Sequence, residues 1–166
     1  MSVAKSSNAP GRAEASAEIL LTPVQKRLIR ESFLKIEPAI DLVGQLFYLK
    51  LFRLDPSFRA RFGQDPKTQS RKFMAAMKLT IISLNHEDSL APIIKLMGLR
   101  QRQLGMKVRD YRTMAKAWTW TLEQSLEKRF SRQTKDAWTA LLTQVTRILS
   151  GSDAALLRSV GGTASA

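Results

Sequence analysis

LFYLKLFRLDPSFRARF, residues 46–62, is the stretch that decides the fold. It opens within an apolar helical pattern that continues through Phe52, and Asp55-Pro56 then ends that helix and begins another. A carboxylate can cap a helix start, and proline is tolerated in the first turn. The same device recurs at Glu37-Pro38 and Asp65-Pro66. Helices restarted in this way have unequal lengths, which favours an irregular helical array over a regular bundle with matched heptads.

The segments on either side of this stretch are also predicted to be helical. Thr22 should begin the first helix, because it caps well and Gln25 completes a capping box. Beyond residue 62 the pattern predicts a helix over residues 66–84, a polar loop over 85–89 and a shorter helix over 92–100. In the shorter helix, the expected inward residues are Ile93, Leu96 and Met97.

The last two helices have the clearest apolar spacing, from Tyr111 to Leu126 and from Trp138 to Leu149, and Ser131 can cap the second. No segment alternates with period two, so the predicted class is all-α, with about six to eight helices around one core. The residues expected to be mainly buried are Tyr48, Phe62, Met74, Leu96, Tyr111, Trp118, Trp138, Leu142 and Val145.

Composition divides the chain into three parts. Residues 1–19 are rich in Ala, Ser and Gly and are expected to form a polar tail, because they cannot bury enough apolar surface. Residues 20–150 are expected to form one domain, and 151–166 a short C-terminal extension that frays. The absence of cysteine excludes disulfides and thiolate ligands. No apolar run approaches the ~20 residues that span a membrane, and no secretory signal is visible, so a cytoplasmic location is expected.

The chain is strongly basic, with 27 Lys and Arg against 14 Asp and Glu and a net charge of +13. Such a charge favours contact with an acidic protein or another anionic surface. A solvated basic surface is the simpler explanation, because the basic residues are scattered over many segments. The densest cluster of basic residues consists of Arg100, Arg102, Lys107, Arg109 and Arg112, opposed only by Asp110. Nucleic acid is a less favoured partner, because no helix-turn-helix pattern or set of exposed aromatics accompanies this cluster.

An ordered series of motifs carries a family resemblance. LTPVQKRLIRESFLKI is followed by the FY of LFYLKLF, then DPSFRARF, QSRKFMAAM, Gly105, DY, WTLEQSL and DAWTALL. In this order they resemble the single-domain bacterial haemoglobins and the haem domain of flavohaemoglobins, over residues 21–149. The resemblance implies a globin fold, haem b as cofactor, and oxygen or nitric oxide as ligand.

The resemblance also implies a set of pocket residues. Tyr48 matches the tyrosine that donates to iron-bound oxygen, Phe62 the phenylalanine that packs flat on the porphyrin, and Gln69 the distal glutamine. For Tyr48 and Phe62 plain core packing is an alternative, and for Gln69 a position on a helix surface. Tyr111 matches the tyrosine that supports the proximal histidine.

The proximal position departs from the family. Alignment from Gly105 and Tyr111 places Gln101 where the family has the histidine that binds iron. An amide is a poor donor to iron compared with an imidazole, and the single histidine, His86, lies in the preceding polar loop. Met97 and Met106 are candidate metal ligands, since thioethers ligate haem elsewhere, although methionine more often fills a core. Tyr111, as phenolate, is a further candidate.

These observations leave two main functional predictions. The first is a globin-family protein that binds haem and an oxygen or nitric oxide type ligand, with a degenerate proximal site. The alternative is a haem-free globin-fold sensor or interaction module, which binds an apolar ligand or an acidic partner. An enzyme is not expected, because no nucleophile–base pair or phosphate loop is visible, and nitric oxide dioxygenation would need an external reductase. The oligomeric state does not follow from the sequence.

Overall fold

The computed structural model describes residues 19–62 and 65–161, with the backbone alone at 87–89, 91, 99–101 and 152–161. The predicted tail, apart from Ile19, and residues 162–166 lie outside this range. The seven α-helices of the described residues are α1 Pro23–Ile36, α2 Ile40–Leu54, α3 Ser57–Arg61, α4 Pro66–Ile82, α5 Glu87–Gln103, α6 Val108–Leu126 and α7 Arg132–Gly161. Single 3₁₀ turns occupy Glu37–Ala39, Ser83–Asn85 and Glu127–Arg129. The all-α prediction is confirmed. None of the described helices is long and apolar enough to cross a membrane.

Helix starts follow the capping signals in the sequence. The hydroxyl of Thr22 accepts from the Gln25 amide at 3.2 Å, and the Gln25 side chain accepts from the Thr22 amide at 2.9 Å. Asp55 Oδ1 accepts from the Ser57 amide at 2.9 Å. Asp65 Oδ1 accepts from the first amides of α4 at 3.1 and 3.2 Å. Local side-chain acceptors therefore satisfy the unpaired amides of these helices.

Helix α5 corrects two predictions. The predicted loop over 85–89 is wrong in its second half, because α5 already begins at Glu87 and contains Pro92. Pro92 lies near the start of α5, where it removes only one helical hydrogen bond, and burial of Leu90 anchors the turn before it. The predicted inward residue Leu96 is 56% exposed, whereas Leu90 and Ile94 are each 1% exposed. The inward face of α5 is therefore set by residues 90 and 94, one helical turn apart.

Helix α2 lies at the centre of the fold, against α4 and α6, and α7 closes the core against α1, α5 and α6. The predicted burial of Trp118 and Trp138 is confirmed. Trp138 Nε1 donates to Ser32 Oγ at 2.9 Å and so ties α7 to α1. At the α2–α4 crossing, a Cβ on Gly44 would lie 2.1 Å from Ser70 Oγ. The absence of a side chain at residue 44 therefore allows α2 and α4 to approach closely.

Candidate ligand pocket

Stacked aromatic rings fill the space between α2, α4 and α6. Phe47 of α2 stacks on Phe73 of α4, with ring centroids 4.1 Å apart and planes 5° from parallel. Both rings meet the edge of Trp118 from α6, at 6.0 and 5.7 Å. The edge contacts with Trp118 fall within the 4.5–7 Å that aromatic pairs prefer, and the Phe47–Phe73 pair is closer. The three helices are therefore joined through three rings, each of which contacts the other two.

Tyr48 lies at one edge of this aromatic stack. Its ring meets Phe62 edge-on at 5.5 Å, and its hydroxyl donates to the backbone oxygen of Gln69 at 3.4 Å. The structure thus brings together the three residues Tyr48, Phe62 and Gln69 that the resemblance implies for the distal side. Burial raises the pKa of the Tyr48 hydroxyl above its usual value, so the group stays protonated at neutral pH. The contact to Gln69 is made by the backbone, and the Gln69 side chain is half-buried.

An apolar cavity of about 100 Å³ lies between α4, α5, α6 and α7. Its lining consists of Phe73, Ala76, Met77, Thr80, Ile94, Met97, Tyr111, Met114, Ala115, Trp118, Leu141, Leu142, Val145, Thr146 and Leu149. Of the residues predicted for a site, Tyr111 and Met97 are in this lining, whereas Tyr48, Phe62, Gln69 and Met106 are not. Phe73 contacts Tyr48 on one side and lines the cavity on the other. The ring of Phe73 therefore separates Tyr48 from the cavity.

Met106 is held at a different place, beside a buried ion pair. Arg61 Nη1 lies 3.8 Å from the Met106 sulfur and 2.5 Å from Asp110 Oδ2. Asp110 is 1% exposed and also accepts from the Lys107 amide at 2.7 Å. The pair fixes the start of α6 against the end of α3. Sequence reasoning missed it and counted Asp110 only as a counter-charge in the basic cluster. The available signal was the position of Asp110 in the first turn of a predicted helix.

The described lining offers few groups that could ligate iron. His86 is exposed at the end of a 3₁₀ turn and does not line the cavity. Gln101 lies near the end of α5, and its side chain is outside the described residues. The groups in the described lining that could ligate iron are the thioethers of Met77, Met97 and Met114 and the phenol of Tyr111. An imidazole is therefore absent from the part of the cavity wall that the structure describes.

Haem b does not fit this cavity as the structure has it. Pockets for drug-sized molecules measure about 300–1,000 Å³, and a haem belongs to that size class. The cavity of about 100 Å³ is several times smaller. The ring of Phe73 occupies the space that would have to join the cavity to Tyr48. The indole N–H of Trp118 is also buried without an acceptor among the described residues.

Comparison with known proteins agrees with this architecture. The chain is similar in structure to the crystal structure of a hexacoordinated haem protein from an anhydrobiotic tardigrade at pH 4. The TM-score is 0.73 and the sequence identity 15%, over 81% of this chain and 96% of that chain. At this identity the likeness establishes the fold alone. The family model described as Globin matches residues 45–149, from α2 to α7. This match spans most of the chain, and the protein belongs to the globin family.

Proposed function

We propose that this globin binds a small, largely apolar ligand in the cavity between α4 and α7, and that it does so without a histidine-ligated haem. The observation that carries the proposal is the cavity itself, which is apolar and measures about 100 Å³. Apolar cavities of about 150 Å³ are known to hold benzene or xenon. The chemical class that fits is therefore a molecule of a few heavy atoms, including a diatomic gas.

The residues that replace the family's haem site support the same proposal. By the family resemblance, Gln101 takes the position of the imidazole that donates to iron, and an amide is a poor donor. The stack of Phe47, Phe73 and Trp118 also fills the space between Tyr48 and the cavity, so the two do not form one larger pocket. A haem-bound form would require Phe73 to leave its contacts with Phe47, Tyr48 and Trp118.

A haem-binding globin is the second candidate, and one arrangement favours it. Met97 of α5 and Tyr111 of α6 both line the cavity, and each residue type ligates haem in other proteins. These residues, together with Met77 and Met114, would hold the group in place of a histidine. Bound haem would supply iron that binds a diatomic ligand.

Binding of xenon, followed by xenon NMR, tests the first candidate directly. Ala76 lines the cavity, and its neighbour Ala75 is exposed on the same helix. We expect saturable binding to the parent protein and to Ala75→Leu, and loss of binding in Ala76→Leu, whose added side chain fills the cavity. Equal binding by both variants would place the probe elsewhere and contradict the proposal.

Hemin titration of the parent protein, followed by absorption, separates the two candidates. The proposal predicts no stoichiometric uptake and only the spectrum of loosely associated hemin. Stoichiometric uptake with a ligated-haem spectrum that is lost in Met97→Leu or Tyr111→Phe would establish the second candidate instead.

A further inference from the structure

A second concave site lies on the outer surface, between α6 and α7. It is a groove of about 660 Å³, within the range of about 300–1,000 Å³ typical of ligand sites. Its walls are formed by Val108, Arg112, Ala115, Lys116, Thr119, Trp120 and Glu123 of α6, and by Lys135, Thr139, Leu142, Thr143, Thr146, Arg147 and Ser150 of α7. Three of these residues, Ala115, Leu142 and Thr146, also line the cavity, so the two spaces are adjacent.

The floor of the groove presents small side chains whose polar groups are already used. Four hydroxyls donate to carbonyl oxygens of their own helix at 2.7–3.0 Å, those of Thr119, Thr139, Thr143 and Ser150. The threonine methyl groups, together with Ala115 and the half-buried Leu142, are therefore the groups that a ligand in the groove can pack against. Small residues along a groove allow another helix to approach closely.

The rim of the groove carries an excess of positive charge. Lys135 is neutralised by Glu123, at 2.5 Å. Arg112 and Lys116 lie one turn apart on α6, a spacing at which like charges repel. In the part of the chain that the structure describes, neither has a carboxylate within salt-bridge distance. The groove is thus apolar at its floor and cationic along its α6 edge.

We propose that this groove docks an amphipathic helix of an acidic partner protein. The apolar face of that helix would lie on the floor, and its carboxylates would contact Arg112 and Lys116. Helix-in-groove recognition uses such an apolar face, and complementary charge at the rim speeds and directs association. A single-stranded nucleic acid suits the groove less well. Trp120, the aromatic residue of the lining, is half-buried, and the ammonium of Lys50 covers its ring at 4.8 Å.

Two other occupants are disfavoured by charge and by position. A second copy of the chain would bring its own net charge of +13 against the cationic rim. The N-terminal tail has a balanced sequence, with Lys5 and Arg12 against Glu14 and Glu18. The tail joins the domain at Leu20, whose backbone oxygen accepts a hydrogen bond from Gln144 Nε2 of α7 at 2.8 Å. Gln144 is two residues before Thr146, so at 3.6 residues per turn it lies on nearly the opposite side of α7 from Thr146 of the groove. The tail therefore enters the domain away from the groove.

Fluorescence anisotropy of a labelled synthetic peptide, with the full-length protein, tests the docking site. The probe is a helical peptide of about 20 residues with an Ala and Leu face flanked by glutamates, long enough to span about 30 Å. The control peptide has lysines in place of the glutamates. We expect the acidic peptide to bind, more weakly as salt is raised, and the basic peptide not to bind.

Matched variants locate the site. Arg112→Glu with Lys116→Glu should weaken binding by about tenfold or more, which is about 1.4 kcal/mol. Lys67→Glu with Lys72→Glu, on exposed positions of α4, makes the same change in net charge and should leave the affinity within about threefold. Thr143→Trp fills the groove without changing the charge, and it should also weaken binding by about tenfold. Thermal melting followed by circular dichroism checks that each variant is folded.

Four results would overturn the proposal. The acidic peptide could fail to bind at low salt, or both pairs of charge reversals could weaken it equally, which would indicate bulk charge alone. A single-stranded oligonucleotide could bind more tightly and displace the peptide, which would make the groove a nucleic-acid surface. Sedimentation could show a dimer that Thr143→Trp abolishes, which would identify a second copy as the occupant.

Discussion

Restoring haem binding should require two changes, Gln101→His to supply the iron ligand and Phe73→Ala to open the space beside Tyr48. Phe73 stacks on Phe47 and meets Tyr48 and Trp118 edge-on, so its ring is shared by the helices that enclose the cavity. Removing a buried phenylalanine ring costs about 3–5 kcal/mol of folding stability. Because Phe73 is only half-buried, we expect a loss near the lower end of that range.

The expected gain is in hemin affinity. Position 101 lies near the C-terminal end of α5, and Tyr111 lines the cavity from the neighbouring helix α6. An imidazole at position 101 should therefore raise affinity by at least about tenfold, or about 1.4 kcal/mol, once the pocket has room. Gln101→His alone should give little of this gain, because the cavity is about 100 Å³. The double variant should give all of it, measured by hemin titration and by the spectrum after reduction.

Two control variants distinguish the effect of enlarging the pocket from the effect of supplying an iron ligand. Phe52→Ala removes another ring that touches Tyr48 but does not line the cavity, so it should not replace Phe73→Ala. Gln103→His places an imidazole on α5 at an exposed position and should not replace Gln101→His. If Gln101→His alone binds hemin as tightly as the double variant, Phe73 is not a barrier and the reasoning is refuted. If the parent binds equally tightly, another residue is the ligand.

Three further predictions concern the scaffold. Asp110→Ala should destabilise the protein by about 1.5–3 kcal/mol in urea unfolding, because it removes the main partner of the partly exposed Arg61 and the acceptor of the Lys107 amide; a loss below about 0.5 kcal/mol would contradict the role of the pair. Gly44→Ala should cost about 1–3 kcal/mol through overpacking, and Ser70→Ala should recover most of it, since Ser70 Oγ is the atom in the way. The raised pKa of Tyr48 adds stability that is fully present below about pH 10 and lost at higher pH. Tyr48→Phe should therefore unfold less steeply with alkali than the parent, and identical alkaline profiles would show that Tyr48 does not contribute.

In the basic cluster, the charge partners suggested by the sequence differ from those in the folded structure. Along the sequence, Asp110 stands as the counter-charge to the basic residues around it. In the structure its carboxylate is buried against Arg61, 49 residues earlier. Arg109 of the cluster still lies 3.9 Å from this carboxylate, whereas Arg112 borders the groove together with Lys116.

The sequence by itself determined the structural features that depend on residues close together in the chain. Thr22, Asp55, Asp65 and Ser131 each cap the helix expected, because a cap involves only the next two or three amides. Helical spacing likewise predicted the burial of Trp118 and Trp138. The assignment of Gln101 to the proximal position follows from the family resemblance and stays a prediction.

Only the tertiary structure decided which side chains meet. Pro92 looked like a helix start, but burial of Leu90 carries α5 back to Glu87 and turns Leu96 outward. Phe73 was one apolar residue of a helix face, and only its stacking on Phe47 shows that it divides Tyr48 from the cavity. The physical reason is that capping and periodicity act within one or two turns, whereas burial depends on which distant helix supplies the opposite wall.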